Sequence, residues 1–248
     1  MNILVCISSV PDTTTKIKFT ADGSAFDSTG VQFVINPNDE FGLTRALQLK
    51  EANGGQVTVL NVGTIDTEPV IRKALAIGAD NAVRINANPT DSLFVAKQIA
   101  TYADGKGFDL IICGRESIDY NGGLVHGMLG ELLNVPSVSP CTKLEVNDGN
   151  VVMERVIDGG KEVVSCSTPV ITGAQKGMVH EEELRIPNMR GIMQARTKPL
   201  EVVEPSFFDA ATTCSSFELP PAKGACKMVS ADNVDELINL LHTEAKVI

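Results

Sequence analysis

The sequence FDLIICGRESIDYNGGLVHGMLGELL, residues 108–133, passes from a short apolar run through a polar loop into apolar residues at helical spacing. The first run is short and has a β-branched centre, which favours a buried strand over a helix. The loop carries Gly122 and Gly123, and glycines let a backbone approach a ligand closely. Because free amides at a helix start attract anions, the unit predicts either a phosphate site or an ordinary strand-to-helix turn. It is neither a GxGxxG motif nor a lysine-containing P-loop.

The chain before this stretch alternates strands with helices. Strands are predicted at 3–7, 57–63 and 81–85, and a helix lies between each strand and the next. Asn36 or Asn38 is expected to cap the first of these helices. Strands separated by helices of this length form a parallel sheet with helices on both faces.

In such a sheet, ligands bind at the carboxyl ends of the strands, where the strand order changes direction. We therefore expect the loops after Ile7, Val62 and Cys113 to converge on one crevice. Asn36 also stands where a strand ends and a helix begins, as the other crevice loops do, so it is expected to reach this crevice. Asp119, in the glycine-bearing loop, is either a nucleotide contact or a cap of the following helix.

The second half of the chain has a different pattern. Strands are predicted at 141–146, 150–156 and 161–166, and the turns at 147–149 and 158–160 are typical of antiparallel hairpins. From about residue 205 the chain has few long apolar runs and cannot form a core of its own. The predicted fold is a doubly wound, mostly parallel, Rossmann-like α/β sheet over residues 1–204, with an antiparallel hairpin region, followed by a C-terminal arm over 205–248.

Composition narrows the classes of function. The 248 residues carry a net charge of -10 with a pI near 4.8, which argues against nucleic acid as a partner, since neutralising phosphates needs clustered Lys and Arg. No apolar run reaches membrane-spanning length, and the start lacks the basic segment of a signal peptide. A cytoplasmic, bacterial location is expected. Six cysteines without CxxC spacing predict neither a metal site nor disulfides. The sequence has neither a nucleophile elbow nor a dinucleotide fingerprint, so we do not predict an enzyme.

Several short motifs occur together along the chain. The most specific is RVIDGGKEV at 155–163, which runs on to TPVIT at 168–172. The others are VPD at 10–12, NPNDE at 36–40, ALAIGAD at 74–80, SID at 117–119 and RGIMQAR at 190–196. In their order and spacing, from the start of the chain to about residue 204, these motifs resemble the beta subunit of electron-transfer flavoprotein.

This resemblance implies an electron carrier subunit without a catalytic centre of its own. In the family, the beta subunit pairs with an alpha subunit that holds most of the FAD. The beta subunit itself lines the FAD site and buries a structural AMP. The heterodimer accepts electrons from dehydrogenases, chiefly acyl-CoA dehydrogenases of fatty acid β-oxidation, and passes them to a membrane quinone oxidoreductase. Transferred to this chain, the resemblance implies a nucleotide site made by Cys6, Asn36, Val62, Asp119, Asn121, Gly122, Gly123, Leu124 and Val125.

The chain also departs from the family. Many bacterial relatives have a Gly-Asp-Thr-Ala-Gln run where this chain has Tyr-Asn-Gly-Gly-Leu-Val at 120–125. Backbone contacts to a nucleotide would survive that change, whereas side-chain contacts would not, so a second FAD in place of AMP, as in electron-bifurcating relatives, is an alternative. A stand-alone nucleotide-binding protein of the universal-stress type is another alternative, but it lacks such a hairpin region.

The segment 173–184 stands where the family carries its docking loop for dehydrogenases. It combines two glycines, acidic residues and isolated apolar residues, which is typical of a mobile loop with one or two anchors. The family anchor is a leucine. Because this loop is longer, the candidates for the anchor are Met178, Val179 and Leu184. The arm over 205–248 is expected to pack on the alpha subunit.

Overall fold

The computed structural model describes residues 1–147 and 149–248; Asp148, in the predicted turn at 147–149, lies outside the described residues. The strands are β1 (Asn2–Cys6), β2 (Ser9–Pro11), β3 (Phe33–Ile35), β4 (Gln56–Val62), β5 (Asn81–Ile85), β6 (Leu110–Gly114), β7 (Ser137–Asn147), β8 (Asn150–Ile157), β9 (Gly160–Ser167), β10 (Val170–Ala174) and β11 (Leu200–Val203). The α-helices are α1 (Pro37–Asn53), α2 (Glu68–Ile77), α3 (Ser92–Ala103), α4 (Val125–Leu133), α5 (Met189–Ala195) and α6 (Val234–Leu240).

Nine strands form one sheet in the order β11-β5-β4-β1-β6-β10-β7-β8-β9. The strands from β11 to β7 are parallel, and β8 and β9 continue the sheet antiparallel to their neighbours. The chain moves from β1 outward through β4 to β5 and then returns to the other side of β1 with β6. The predicted mostly parallel, doubly wound sheet with an antiparallel hairpin region is confirmed, and its strand order reverses between β1 and β6.

Alternating side chains of the central strands separate the core into two layers. Ile3 and Val5 of β1 pack on the face covered by α1 and α2, whereas Leu4 and Cys6 pack on the face covered by α3 and α4. This alternation is the period-2 geometry of a strand buried on both faces. It explains why the central strands are continuous apolar runs.

The sequence pattern did not predict β11. This strand pairs in parallel with β5 at the edge of the sheet, and Glu201 and Val202 are exposed. Only four residues long and half exposed, it lacks the apolar run that identified the central strands. Its place is fixed by the preceding chain, where Lys198 Nζ donates to the carbonyls of Leu75 and Ala79 at the end of α2.

The chain divides into two compact units. The first comprises residues 1–17 and 28–215 and contains the nine-stranded sheet; the second comprises 18–27 and 216–248. Within the second unit, Phe19 bridges to Phe26 and its ring stacks on Phe217 with centroids 5.3 Å apart. Helix α6 also belongs to this unit, and the arm packing predicted for 205–248 stays a prediction.

Candidate functional site

A crevice opens at the carboxyl ends of β1, β4 and β6, on both sides of the point where the strand order reverses. Its cavity has a volume of about 280 Å³. The loops after Ile7, Val62 and Cys113 do converge there. Of the predicted nucleotide-site residues, those that line the cavity are Cys6, Val62, Asp119, Gly122, Gly123, Leu124 and Val125.

Asn36 does not line this cavity. Its side chain is fully buried; Nδ2 donates to the Glu116 carbonyl at 2.9 Å, and Oδ1 accepts from the Ile118 amide at 3.2 Å. Asn36 occupies the N-cap position of α1, but its side chain makes no capping hydrogen bond. The Asn36 side-chain amide therefore joins the start of α1 to the loop after β6, whereas the sequence had indicated a helix cap or a ligand contact.

Asn121 is also absent from the cavity wall, but it shapes the loop that forms the wall. Its φ is 50°, in the left-handed region that asparagine tolerates better than most residues. Its amide donates to the Ser117 carbonyl at 2.8 Å. Gly123, two residues further on, has a φ of 61°. These two left-handed residues turn the backbone of the loop toward the crevice.

The wall formed by residues 122–125 supplies hydrogen-bond donors. Helix α4 begins at Val125, and the amides of Gly122, Gly123 and Leu124 donate no hydrogen bond within the part of the chain that the structure describes. Asp119 does not cap α4, because the N-cap residue of this helix is Leu124 and no side chain caps it; Asp119 instead accepts from the adjacent Tyr120 amide. Free amides at a helix start suit a phosphate group. Arg115 also belongs to the lining, where its guanidinium is paired with Glu116 at 2.8 Å.

The floor of the crevice is apolar and closely packed. Cys6 is the last residue of β1 and Cys113 is the last but one of the neighbouring strand β6, and both are buried. The pKa of the Cys6 thiol is raised well above its usual value, first by its hydrogen bond with Cys113 and then by burial. The Cys6 thiol therefore stays protonated, and the apolar floor is a surface against which the flat face of a base could pack.

Asp39 is a lining residue that sequence did not assign to the site. It reaches from the first turn of α1 under both loops, where Oδ2 accepts from the Ser8 amide at 2.7 Å and Oδ1 from the Gly114 amide at 2.8 Å. The carboxylate thus fixes the ends of β1 and β6 to each other. A Cβ at position 114 would lie 2.2 Å from Asp39 Oδ1, so this close approach requires glycine there.

Asn61, on β4, is a second lining residue that sequence reasoning missed. It is 2% exposed, and its Nδ2 donates to the Ile7 carbonyl at 2.8 Å. Its Oδ1 finds no hydrogen-bond partner among the described residues, and a buried acceptor left unpaired is costly. A polar residue inside the apolar run VTVLNV was the signal that could have identified it.

The candidate docking residues lie elsewhere. Met178 and Val179 are 6% and 5% exposed and belong to the core on the α1 and α2 face. Leu184 is half-buried and packs against the same core. The large apolar side chain that is exposed in this region is Ile186, at 85%. Their role in docking stays a prediction.

No group of three His, Cys, Asp or Glu side chains suited to a metal ion occurs in residues 1–147 and 149–248. Over the same residues, no helix has the length and hydrophobicity needed to cross a membrane. The strand-order reversal, the free amides and the apolar floor are together typical of α/β domains that bind nucleotides.

Comparison with known proteins gives the family. Residues 24–207 match the model of the electron transfer flavoprotein domain. The chain is 36% identical, over the full length of both chains, to the electron transfer flavoprotein subunit beta of Bacillus subtilis. It is 31% identical, again over both full lengths, to the mitochondrial subunit beta of Oryza sativa subsp. indica.

A third relative is the acryloyl-CoA reductase electron transfer subunit gamma of Anaerotignum propionicum, 32% identical over 82% of this chain and 78% of that protein. The chain therefore belongs to the electron transfer flavoprotein family, as a beta-type subunit. The predicted resemblance is confirmed, as is its consequence that the chain is a subunit of an electron carrier. Membership also implies association with a flavin.

Proposed function

We propose that this chain binds AMP in the crevice and pairs with an alpha subunit, with which it encloses FAD. The observation that carries the AMP assignment is the size and character of the crevice. Its volume of about 280 Å³ lies just below the range of about 300–1,000 Å³ for small-molecule pockets. FAD contains the whole of AMP plus a flavin mononucleotide, so it needs much more space.

The residues present fit a mononucleotide with its phosphate at one end. The free amides at 122–124 suit the phosphate, while the apolar floor at Cys6, Cys113 and Val62 suits a base. Asn61 Oδ1, beside that floor, is a buried acceptor without a hydrogen-bond partner among the described residues. The side-chain contacts that the family's Gly-Asp-Thr-Ala-Gln run would supply are not required by this arrangement.

The nucleotide content of the purified complex tests this proposal. After denaturation, the supernatant is expected to contain AMP together with FAD. Val62→Trp, which fills the crevice floor, should remove AMP and leave FAD in place. Val202→Trp, on β11 and 48% exposed, is the matched control and should retain both. Two equivalents of FAD and no AMP in the wild-type complex would instead establish the alternative in which a second FAD occupies this subunit.

That alternative has one observation in its favour. The relative from Anaerotignum propionicum is named as the electron transfer subunit of a reductase, so a chain of this kind can serve an enzyme that consumes electrons. In the main proposal, electrons move in the opposite direction, from the partner enzyme to this complex. The complex accepts electrons from acyl-CoA dehydrogenases and passes them to a membrane quinone oxidoreductase, in a bacterial cytoplasm.

We further propose that dehydrogenases dock at the loop over 173–184 and the chain that follows it. The exposed acidic run at 181–183 and a few apolar side chains describe a small contact surface, which suits a short-lived electron-transfer complex. Met178, Val179 and Leu184 remain the candidate anchors. Met178 and Val179 lie in the core of the free chain, so either would have to leave that core to enter a partner's pocket.

A further inference from the structure

The chain that follows β11 is bound to helix α3. Gln98, on α3 and 2% exposed, makes two hydrogen bonds to the backbone of Ser206: Nε2 donates to the carbonyl at 2.6 Å, and Oε1 accepts from the amide at 3.0 Å. Lys97 Nζ lies 5.3 Å from the centre of the Phe208 ring, a cation–π contact. We call residues 205–215 the strap; all of them belong to the same compact unit as the sheet.

Asp91 holds the strap at a second point. Its Oδ1 accepts from the Phe94 amide at 2.7 Å and caps α3. Its Oδ2 accepts from the amides of Ala211 and Thr212, the latter at 2.9 Å. Although burial opposes ionisation, the hydrogen bonds from Phe94, Thr212 and Ala211 outweigh it and lower the pKa of this carboxyl. The two oxygens therefore have separate tasks, one for the helix and one for the strap.

The strap reaches the crevice. Thr212 and Cys214 line the same cavity as Cys6, Val62 and residues 122–125, and Asp91 and Ser92 line it as well. The crevice is thus bounded by the strand ends and the glycine-bearing loop, and also by the strap, whose Thr212 is 121 positions along the chain from Asp91.

We propose that the strap is a wall of the nucleotide crevice and that Asp91 and Gln98 are positioning residues that hold it closed over the bound nucleotide. This inference rests on the proposed binding of a nucleotide in the crevice. The strap has no regular secondary structure, and most of its residues are exposed, so few contacts resist its opening. A nucleotide enclosed by it leaves at the rate at which the strap opens.

Asp91→Asn separates the two tasks of this side chain. Asparagine is as good an N-cap as aspartate, so the amide oxygen can keep the bond to Phe94. The amide nitrogen that replaces Oδ2 cannot accept from Ala211 and Thr212. We expect radiolabelled AMP, chased with unlabelled AMP from the full-length chain copurified with its partner subunit, to leave at least about tenfold faster, since hydrogen bonds to a charged group are strong.

Two further variants make the measurement specific. Gln98→Leu keeps the side chain close to its original size, removes both bonds to Ser206 and should also accelerate release. Asp109→Asn is the matched control, because Asp109 Oδ2 likewise accepts a backbone amide, that of Asn2 at 2.7 Å, but at the opposite end of the sheet. Its release rate should equal that of the wild type.

Thiol labelling gives a readout that does not depend on release. Cys214 and Cys226 are both exposed, but only Cys214 lines the crevice. Bound AMP should slow alkylation of Cys214 by iodoacetamide and leave Cys226 unaffected. Unchanged release in Asp91→Asn and Gln98→Leu, with Cys214 unprotected by AMP, would overturn the strap and leave the nucleotide proposal standing. No AMP bound by the wild-type complex would overturn the nucleotide proposal itself, and with it the strap.

Discussion

Asp39 is the single residue on which the geometry of the crevice depends most directly. Its carboxylate binds the Ser8 and Gly114 amides, so it joins two adjacent strands exactly where a ligand would sit between their loops. Burial is the main cause that raises its pKa from 3.8 to about 7, with the negative charge of Asp119 adding to the rise. The hydrogen bonds from Ser8, Asn36 and Gly114 oppose the rise, because they favour the charged form.

This raised pKa predicts a loss of stability as the pH increases. Between about pH 4 and pH 7 the folded chain keeps a proton that the unfolded chain releases, so the free energy of unfolding should fall, by on the order of 4 kcal/mol. Above pH 7 and below pH 4 this contribution is constant. Asp39→Asn cannot titrate, and its amide nitrogen facing backbone N–H groups adds a cost that does not depend on pH.

Urea unfolding of the wild type and Asp39→Asn from pH 4 to pH 8 measures this effect. The difference in unfolding free energy between the two should change steadily in favour of the variant up to about pH 7 and then level off. A difference that is the same at every pH would show that Asp39 ionises normally in the folded chain.

At the scale of elements, the loop that follows β10 combines buried and exposed apolar residues. Met178 and Val179 pack in the core, Leu184 is half-buried, and Ile186 is 85% exposed. A docking anchor must be able to enter a partner's pocket. Exposure therefore favours Ile186, and burial gives Met178 a structural task that is independent of any docking role.

Alanine substitutions separate these tasks. Met178→Ala should cost about 2–5 kcal/mol of stability, because it leaves a cavity in the core. Ile186→Ala should leave stability unchanged and weaken docking by about 2 kcal/mol if this side chain is an anchor. The measurement is the rate at which a reduced acyl-CoA dehydrogenase bleaches the flavin over a range of dehydrogenase concentrations, with Leu184→Ala beside them. Wild-type rates in all three variants would exclude this loop as the docking site.

At the scale of the whole molecule, the chain beyond Ser215 differs from the rest. Many of its apolar side chains are exposed, among them Leu219, Met228, Val234 and Ile238. Its interactions within its own unit are few, such as the Phe19–Phe217 stack and the ion pair between Lys227 and Glu244. A segment with this composition gains its stability from a partner, which supports the proposal that it packs on the alpha subunit.

Two truncations test this division. Ending the chain after Ser215 should abolish copurification with the alpha subunit, because the arm loses its binding energy, but should leave AMP bound. Ending it after Glu204 removes the strap as well and should also release AMP. Undiminished copurification after either truncation would contradict the partner role of the arm, and equal AMP content in both would contradict the role of the strap.

The alternation of strands and helices in the first half of the chain, the family and the region of the crevice were predictable from the sequence alone. Apolar periodicity reports which face of each element is buried, and parallel strands joined by helices place their carboxyl ends, and hence the loops after Ile7, Val62 and Cys113, at one edge. Gly54 and Gly78 are the C-cap residues of α1 and α2, and because glycine is the common residue at a helix C-terminus, the sequence alone indicates both ends.

Only the tertiary structure decided which side chains face the crevice. Asn36 turned inward to the Glu116 and Ile118 backbone, Asp39 and Asn61 entered the lining, and Thr212 arrived from the strap. The physical reason is that periodicity specifies the burial of a residue but not its partner. Hydrogen bonds such as those between Gln98 and Ser206 join residues 108 positions apart, and they form only once the packed sheet has brought the two backbones together.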